Sequence, residues 1–158
     1  MVLDKTDLEI LRILNAKGRV SMVELAKMVN LTTSPCSDRV KRLEKEKYIL
    51  GYHAEICPEK LGLDVQVFIH IRLDQSSFSI FDKFAKAVDL MPEIEECYSL
   101  SGDFDTMIKV RVKNMRAYQH FMSTKLGTLP GVIQTRSEVV IEEHKKSFGL
   151  NPEVLDLS

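Results

Sequence analysis

The chain has 158 residues, 44% hydrophobic and 28% charged, with a formal net charge of −1. That length holds one ordinary domain or two small ones, and the balance of charged and apolar residues excludes wholesale disorder. No stretch approaches the roughly 18 uninterrupted apolar residues of a membrane span. Met1 to Asp7 carries charges of both signs where a leader would be apolar, so the expected location is the cytoplasm, without a membrane partner.

Three cysteines, Cys36, Cys57 and Cys97, have spacings that suit neither a disulfide framework nor a zinc site, and buried or half-buried thiols are expected. Charge is uneven. Residues 1–60 hold 11 Lys+Arg against 9 Asp+Glu, and residues 61–158 hold 11 against 14. The basic excess matters only where it gathers on one surface.

The first third reads as three helices. Asp4 can cap a helix whose apolar residues Leu8, Ile10, Leu11 and Leu14 recur at three to four positions, and Gly18 can close it. Ser21 and Glu24 form a capping box for a short second helix, with Asn30 at its left-handed end. The third helix is expected from Pro35 to Glu46. At 100° per residue it turns Cys36, Val40, Leu43 and Lys47 inward. Pro35, Asp38, Lys41, Arg42 and Lys45 face outward, Arg39 lies on a flank, and small Ser34 and Ser37 stand near the N-terminal end. Two short helices joined by a tight turn, the next one basic outside, match a helix-turn-helix with its recognition helix in the major groove of double-stranded DNA. Its candidate contacts are Ser34, Pro35, Ser37, Asp38, Arg39, Lys41, Arg42 and Lys45. Lys47 to Glu55 reads as a short strand and turn, as in a winged variant.

From Val65 to Leu73 apolar and polar residues alternate strictly, which predicts a strand. Phe78, Phe81, Phe84, Ala85 and Val88 mark a helix after a turn at Gln75-Ser76-Ser77. A strand follows Met91-Pro92-Glu93-Ile94 to about Ser101, and Gly102-Asp103 turns into another with Ile108, Val110 and Val112 on one face. Asn114 caps a helix containing Met115, Tyr118, Phe121, Met122 and Leu126, and Leu129-Pro130-Gly131-Val132 opens a last strand to about Glu143. Strand-helix-strand twice over is the ferredoxin-like βαββαβ arrangement. The fold class is therefore α+β: a winged helix-turn-helix domain over residues 1–52, a short strand and linker over 53–64, a ferredoxin-like domain over 65–145, and a tail over 146–158. The sheet face away from the helices carries Phe68, Tyr98 and Met107 among polar residues, and a second copy of the chain is its simplest cover.

No phosphate loop, nucleophile elbow or metal-spaced His/Cys set is present, so neither an enzyme nor a metal or cofactor site is expected. Gly102-Asp103-Phe104-Asp105 suits a free amino acid, with backbone N–H groups for its carboxylate and Asp103 or Asp105 for its ammonium. The same four residues read equally well as a hairpin turn. Chemistry alone leaves both open.

Several stretches, in order, resemble the Lrp/AsnC family of leucine- and asparagine-responsive regulators. They are Leu3-Asp4-x-x-Asp7 with Ile10-Leu11, Gly18-Arg19, Glu24-Leu25-Ala26, Ser34-Pro35-Cys36-x-x-Arg39-Val40-x-x-Leu43-Glu44, Ile49-x-Gly51-Tyr52, Ser101-Gly102-Asp103-Phe104-Asp105 and Leu129-Pro130-Gly131-Val132. Thr32-Thr33 departs from the serine and small polar residue of many relatives. The resemblance implies a nucleoid-associated transcriptional regulator of amino-acid metabolism genes, whose homodimers assemble to an octamer. It also implies an effector held between neighbouring dimers by Ser101, Gly102, Asp103, Asp105, Met115, Gly131, Val139 and Val140. The apolar members favour leucine or methionine over a charged amino acid.

Overall fold

The computed structural model describes residues 3–74 and 79–146. The expected turn at Gln75-Ser76-Ser77, Phe78 and the tail beyond Lys146 lie outside the described residues. The chain divides into two compact units, one with residues 3–56 and 144–146, the other running from Cys57 to Glu143.

The first unit holds α1 (Lys5–Lys17), α2 (Met22–Met28) and α3 (Thr33–Lys45). The capping boxes read from sequence form at Asp4/Asp7 and Ser21/Glu24, and Gly18 closes α1 with φ +60°. Asn30, at φ +54°, ends α2, and the Leu31 N–H donates back to the Ala26 carbonyl at 2.9 Å, satisfying an end carbonyl the helix leaves open. Ile10, Leu25, Ala26, Cys36, Val40 and Leu43 interlock as the core.

Three expectations fail here. α3 starts two residues before Pro35, which still sits in the first turn, where a missing N–H costs nothing. Lys47 is not on the inward stripe. It is exposed, beyond the helix end, at φ +64°. The N–H groups of Tyr48 and Ile49 then donate to the Leu43 carbonyl at 2.9 and 3.2 Å, folding the chain back on α3. The strand expected over Lys47 to Glu55 is not formed, because a strand needs a hydrogen-bonded neighbour and this unit has no other strand among its described residues. Residues 47–55 therefore run as turn and extended chain after α3 rather than as a strand. A 3-10 turn, Glu59–Leu61, occupies part of the expected linker.

The second unit contains β1 (Val65–Leu73), α4 (Ser79–Val88), β2 (Ile94–Ser99), β3 (Thr106–Val112), α5 (Met115–Thr124) and β4 (Val132–Val139). The strands lie in the order β2-β3-β1-β4, each pair antiparallel, as the ferredoxin-like reading requires. β4 stops four residues short of the expected Glu143. Val67, Ile69, Ile71 and Leu73 of β1 and Ile108, Val110 and Val112 of β3 pack with Phe84, Val88, Tyr118 and Phe121 of the two helices. Asn114 caps α5, its Oδ1 accepting the Ala117 N–H at 2.9 Å.

The opposite sheet face carries Gln66, Phe68, His70 and Arg72 of β1 beside Met107, Lys109 and Arg111 of β3. Across one half runs an ion ladder. Lys109 meets Glu95 at 3.2 Å and Glu96 at 2.9 Å, and Arg111 meets Glu95 at 2.6 Å.

Candidate DNA-binding and effector sites

On α3, Ser34, Pro35, Asp38, Lys41, Arg42 and Lys45 are exposed, while Ser37 and Arg39 are half-buried. No side chain caps the helix at Thr32, so its first-turn N–H groups have no side-chain acceptor, an arrangement suited to an anion such as a DNA phosphate. The outward division of the helix follows the sequence reading.

Arg39 and Arg42 differ from the lysines. Arg39 Nη1 donates to Asp4 Oδ2 at 2.6 Å and to Asp7 Oδ1 at 2.8 Å, and Arg42 Nη2 donates to both Asp7 oxygens at 2.8 and 2.7 Å. Asp7 is only 1% exposed. The Asp7 N–H and then the Arg39 guanidinium hold the Asp4 carboxyl below the usual aspartate range, while Asp4 and Asp7 raise Arg39 further. The sequence reading overlooked this cluster. Its signal was Asp7 itself, a carboxylate on the same stripe as Ile10 and Leu14, where a buried charge needs a cation.

The third helix is also tied to the segment after it. Tyr52 Oη donates to Glu44 Oε1 at 2.8 Å, and burial, then the Glu44 hydrogen bond, push the phenol up to about 12.

The eight predicted effector residues fall into two groups. Ser101, Gly102, Asp103 and Asp105 lie in the β2–β3 loop beside the C-terminal end of β1. Asp105 Oδ2 accepts the Leu73 N–H at 2.8 Å, and the Asp103 carbonyl accepts Arg72 Nε at 2.9 Å. Gly131 is at the same end, its carbonyl accepting the Asp74 N–H at 2.7 Å. Val139 pairs with Val67, and the Val140 N–H donates to the Gln66 carbonyl, which places both near the other end of β1. Met115 follows the end of β3 that pairs with Val65. One chain does not bring the two groups together.

Phe104, which the sequence reading left without a role, sits among open-face residues. Its ring centroid is 5.7 Å from that of His70, and the guanidinium carbons of Arg72 and Arg136 lie 5.5 and 5.1 Å from it. Of the cysteines, Cys36 is buried, with its thiol pushed up by burial, whereas Cys57 and Cys97 are exposed, contrary to expectation for Cys57 and Cys97. Among the described residues no His/Cys/Asp/Glu group is arranged to hold a metal, and no helix is long and apolar enough to cross a membrane.

A model of the Lrp/AsnC ligand binding domain matches residues 66–150, and a winged helix-turn-helix DNA-binding model matches residues 3–49. The chain belongs to the Lrp/AsnC family. The leucine-responsive regulatory protein of Escherichia coli is 44% identical over 145 residues, covering 92% of this chain and 88% of the relative. A Neisseria meningitidis transcriptional regulator solved as its L-Met complex superposes with a TM-score of 0.91 at 34% identity, covering 94% of this chain and 96% of the other. An AsnC family transcriptional regulator from Agrobacterium tumefaciens has a TM-score of 0.91 at 30% identity, covering 97% and 99%. This Lrp/AsnC chain is thus a transcriptional regulator with a DNA-binding helix-turn-helix and an amino-acid-binding domain, in a family that is not one of enzymes.

Proposed function

We propose that this Lrp/AsnC regulator docks α3 in the major groove of double-stranded DNA as an even-numbered homo-oligomer, and that a small apolar amino acid, leucine or methionine, controls its assembly or its DNA binding. The observation that carries the reading is the exposed face of α3, where a small, polar N-terminal turn of exposed Ser34, Pro35 and Asp38 with half-buried Ser37 is followed by exposed Lys41 and Lys45. Lysines meet phosphates and the small turn admits a close approach to base edges. One helix-turn-helix reads only a few base pairs, so a two-fold pair is needed for two half-sites. The exposed Tyr98 and half-buried Phe68 and Met107 on the open sheet face supply a surface for that pairing.

The effector reading rests on the two loops at the end of β1, around Asp105 and Gly131, with Met115, Val139 and Val140 contributed by a neighbouring subunit. The L-Met complex of the Neisseria relative supports the ligand class. Octameric assembly, action at amino-acid metabolism genes and a place on the cytoplasmic nucleoid are the family's pattern, adopted here for this chain. A salt series of promoter-DNA shifts with pure protein tests the first half: each lost phosphate contact lowers the slope of log affinity against log salt by about 0.9. A thermal-shift screen of the twenty amino acids tests the second. Absence of a DNA shift at low salt, or a flat screen, contradicts the corresponding half.

A further inference from the structure

We infer that Asp4, Asp7 and Arg39 form a positioning clamp that sets the pitch of α3 against α1, so that Arg39 serves sequence discrimination without itself contacting DNA. The inference rests on the proposed docking of α3 and assigns a different task to one of its four cations. Asp4 caps α1 and Asp7 lies in its first turn, while Arg39 and Arg42 are three apart on one face of α3. The two rows meet through four side-chain hydrogen bonds of 2.6–2.8 Å. Anchors one turn apart resist both sliding and tilting of α3, because any pivot that preserves one contact stretches the other.

Charge accounting separates Arg39 from the lysines. Two carboxylates and two guanidinium groups sum to zero within the cluster; α3 also carries Asp38 and Glu44, but among the described residues neither Lys41 nor Lys45 is ion-paired as the two arginines are. Arg39 is 28% exposed and directs Nη1 at both carboxylates. Arg42 is 42% exposed and uses only Nη2 on Asp7, which leaves the rest of its fork for a phosphate. A carboxylate as buried as Asp7 is costly without its partners, and it retains Arg42 when Arg39 is replaced.

The test compares wild type, Lys41→Ala and Arg39→Gln on a duplex selected by the wild-type protein from a random-sequence pool, with poly(dI-dC) as the non-specific DNA. Lys41→Ala should lower the salt slope by about 0.9. Arg39→Gln should leave the slope at the wild-type value and reduce the ratio of selected to non-specific affinity about tenfold, the size of one mismatched base pair. A slope reduced as in Lys41→Ala makes Arg39 a phosphate contact and overturns the inference. An unchanged slope with an unchanged ratio makes the cluster purely structural and also overturns it. Should Arg39→Gln not fold, Asp4→Asn, which keeps the α1 cap and removes one of the two carboxylates that hold Arg39, should likewise lower the ratio about tenfold at an unchanged slope; an unchanged ratio, or a steeper slope as the released guanidinium meets a phosphate, overturns the inference. Wild-type protein that fails to bind the pool at all defeats the docking of α3, a result distinct from either variant outcome.

Discussion

Gly131 lies so close to Ile80 that a Cβ at its position would overlap the Ile80 Cγ2 methyl. Gly131 also has φ +76°, a left-handed backbone that penalises any side chain. Gly131→Ala should therefore destabilise the second unit by about 2–5 kcal/mol through overpacking and backbone strain together. Ile80→Ala removes the obstructing methyl. The double variant should cost less than the two singles added, as read from urea midpoints. Strict additivity would mean that the two residues do not press on each other.

Asp105 makes a hydrogen bond that any test of effector binding must preserve. Its Oδ2 accepts the Leu73 N–H at 2.8 Å, so Asp105→Ala would disturb the end of β1 as well as remove a charge. Asp105→Asn keeps an acceptor oxygen there. The expected result is an unliganded melting temperature close to wild type, with the rise on adding leucine or methionine abolished. An intact rise would place the ligand's ammonium elsewhere.

The depressed Asp4 carboxyl gives acid stability a definite sign. Its folded pKa lies below the ordinary 3.8, so its contribution is fully present above that value and is lost as pH falls through the folded pKa. Asp4→Asn should flatten the fall of the melting temperature below that pH and leave the neutral-pH profile parallel to wild type. Scanning calorimetry in a series of acidic buffers measures it. An unchanged acid limb would show that Asp4 does not couple folding to protons.

Phe68 stands at mid-sheet on the open face, paired with Lys109 of β3 and Glu138 of β4. Phe68→Glu places a charge there without touching the helix-side core. Light scattering should then report the mass of one chain, while circular dichroism stays native. A variant that keeps the wild-type mass would locate the subunit contact on another surface.

Local chemistry was the legible part of this molecule. Asp4, Ser21 and Asn114 announced helix starts because a cap is decided by one side chain and N–H groups two or three residues on. Alternation in Val65 to Leu73 announced β1 because period two has no other use. What escaped depended on distant or absent partners. Arg39 and Arg42 looked like free surface cations because Asp4 and Asp7 are more than thirty residues away. The strand after α3 was expected from composition, yet strand formation is settled by a neighbouring edge. Lys47 at φ +64° had no sequence mark, since lysine is not a residue that advertises the left-handed region. Within the effector set, the expected last strand already put Gly131 and Val139 at different points along one strand; what residue type could not reveal was which end of β1 each of them meets.

That separation has a thermodynamic consequence. From the Ile71 carbonyl, which accepts the Asp105 N–H, to Val67, which pairs with Val139, is four strand positions, about 13 Å at 3.3 Å per residue. No free amino acid is that long. A ligand that touches both groups must be held where two chains meet, and its affinity then rises and falls with the concentration of the protein itself. Dilution loosens the ligand, and the ligand tightens association by the same factor. Such a regulator reports the supply of its effector relative to its own abundance.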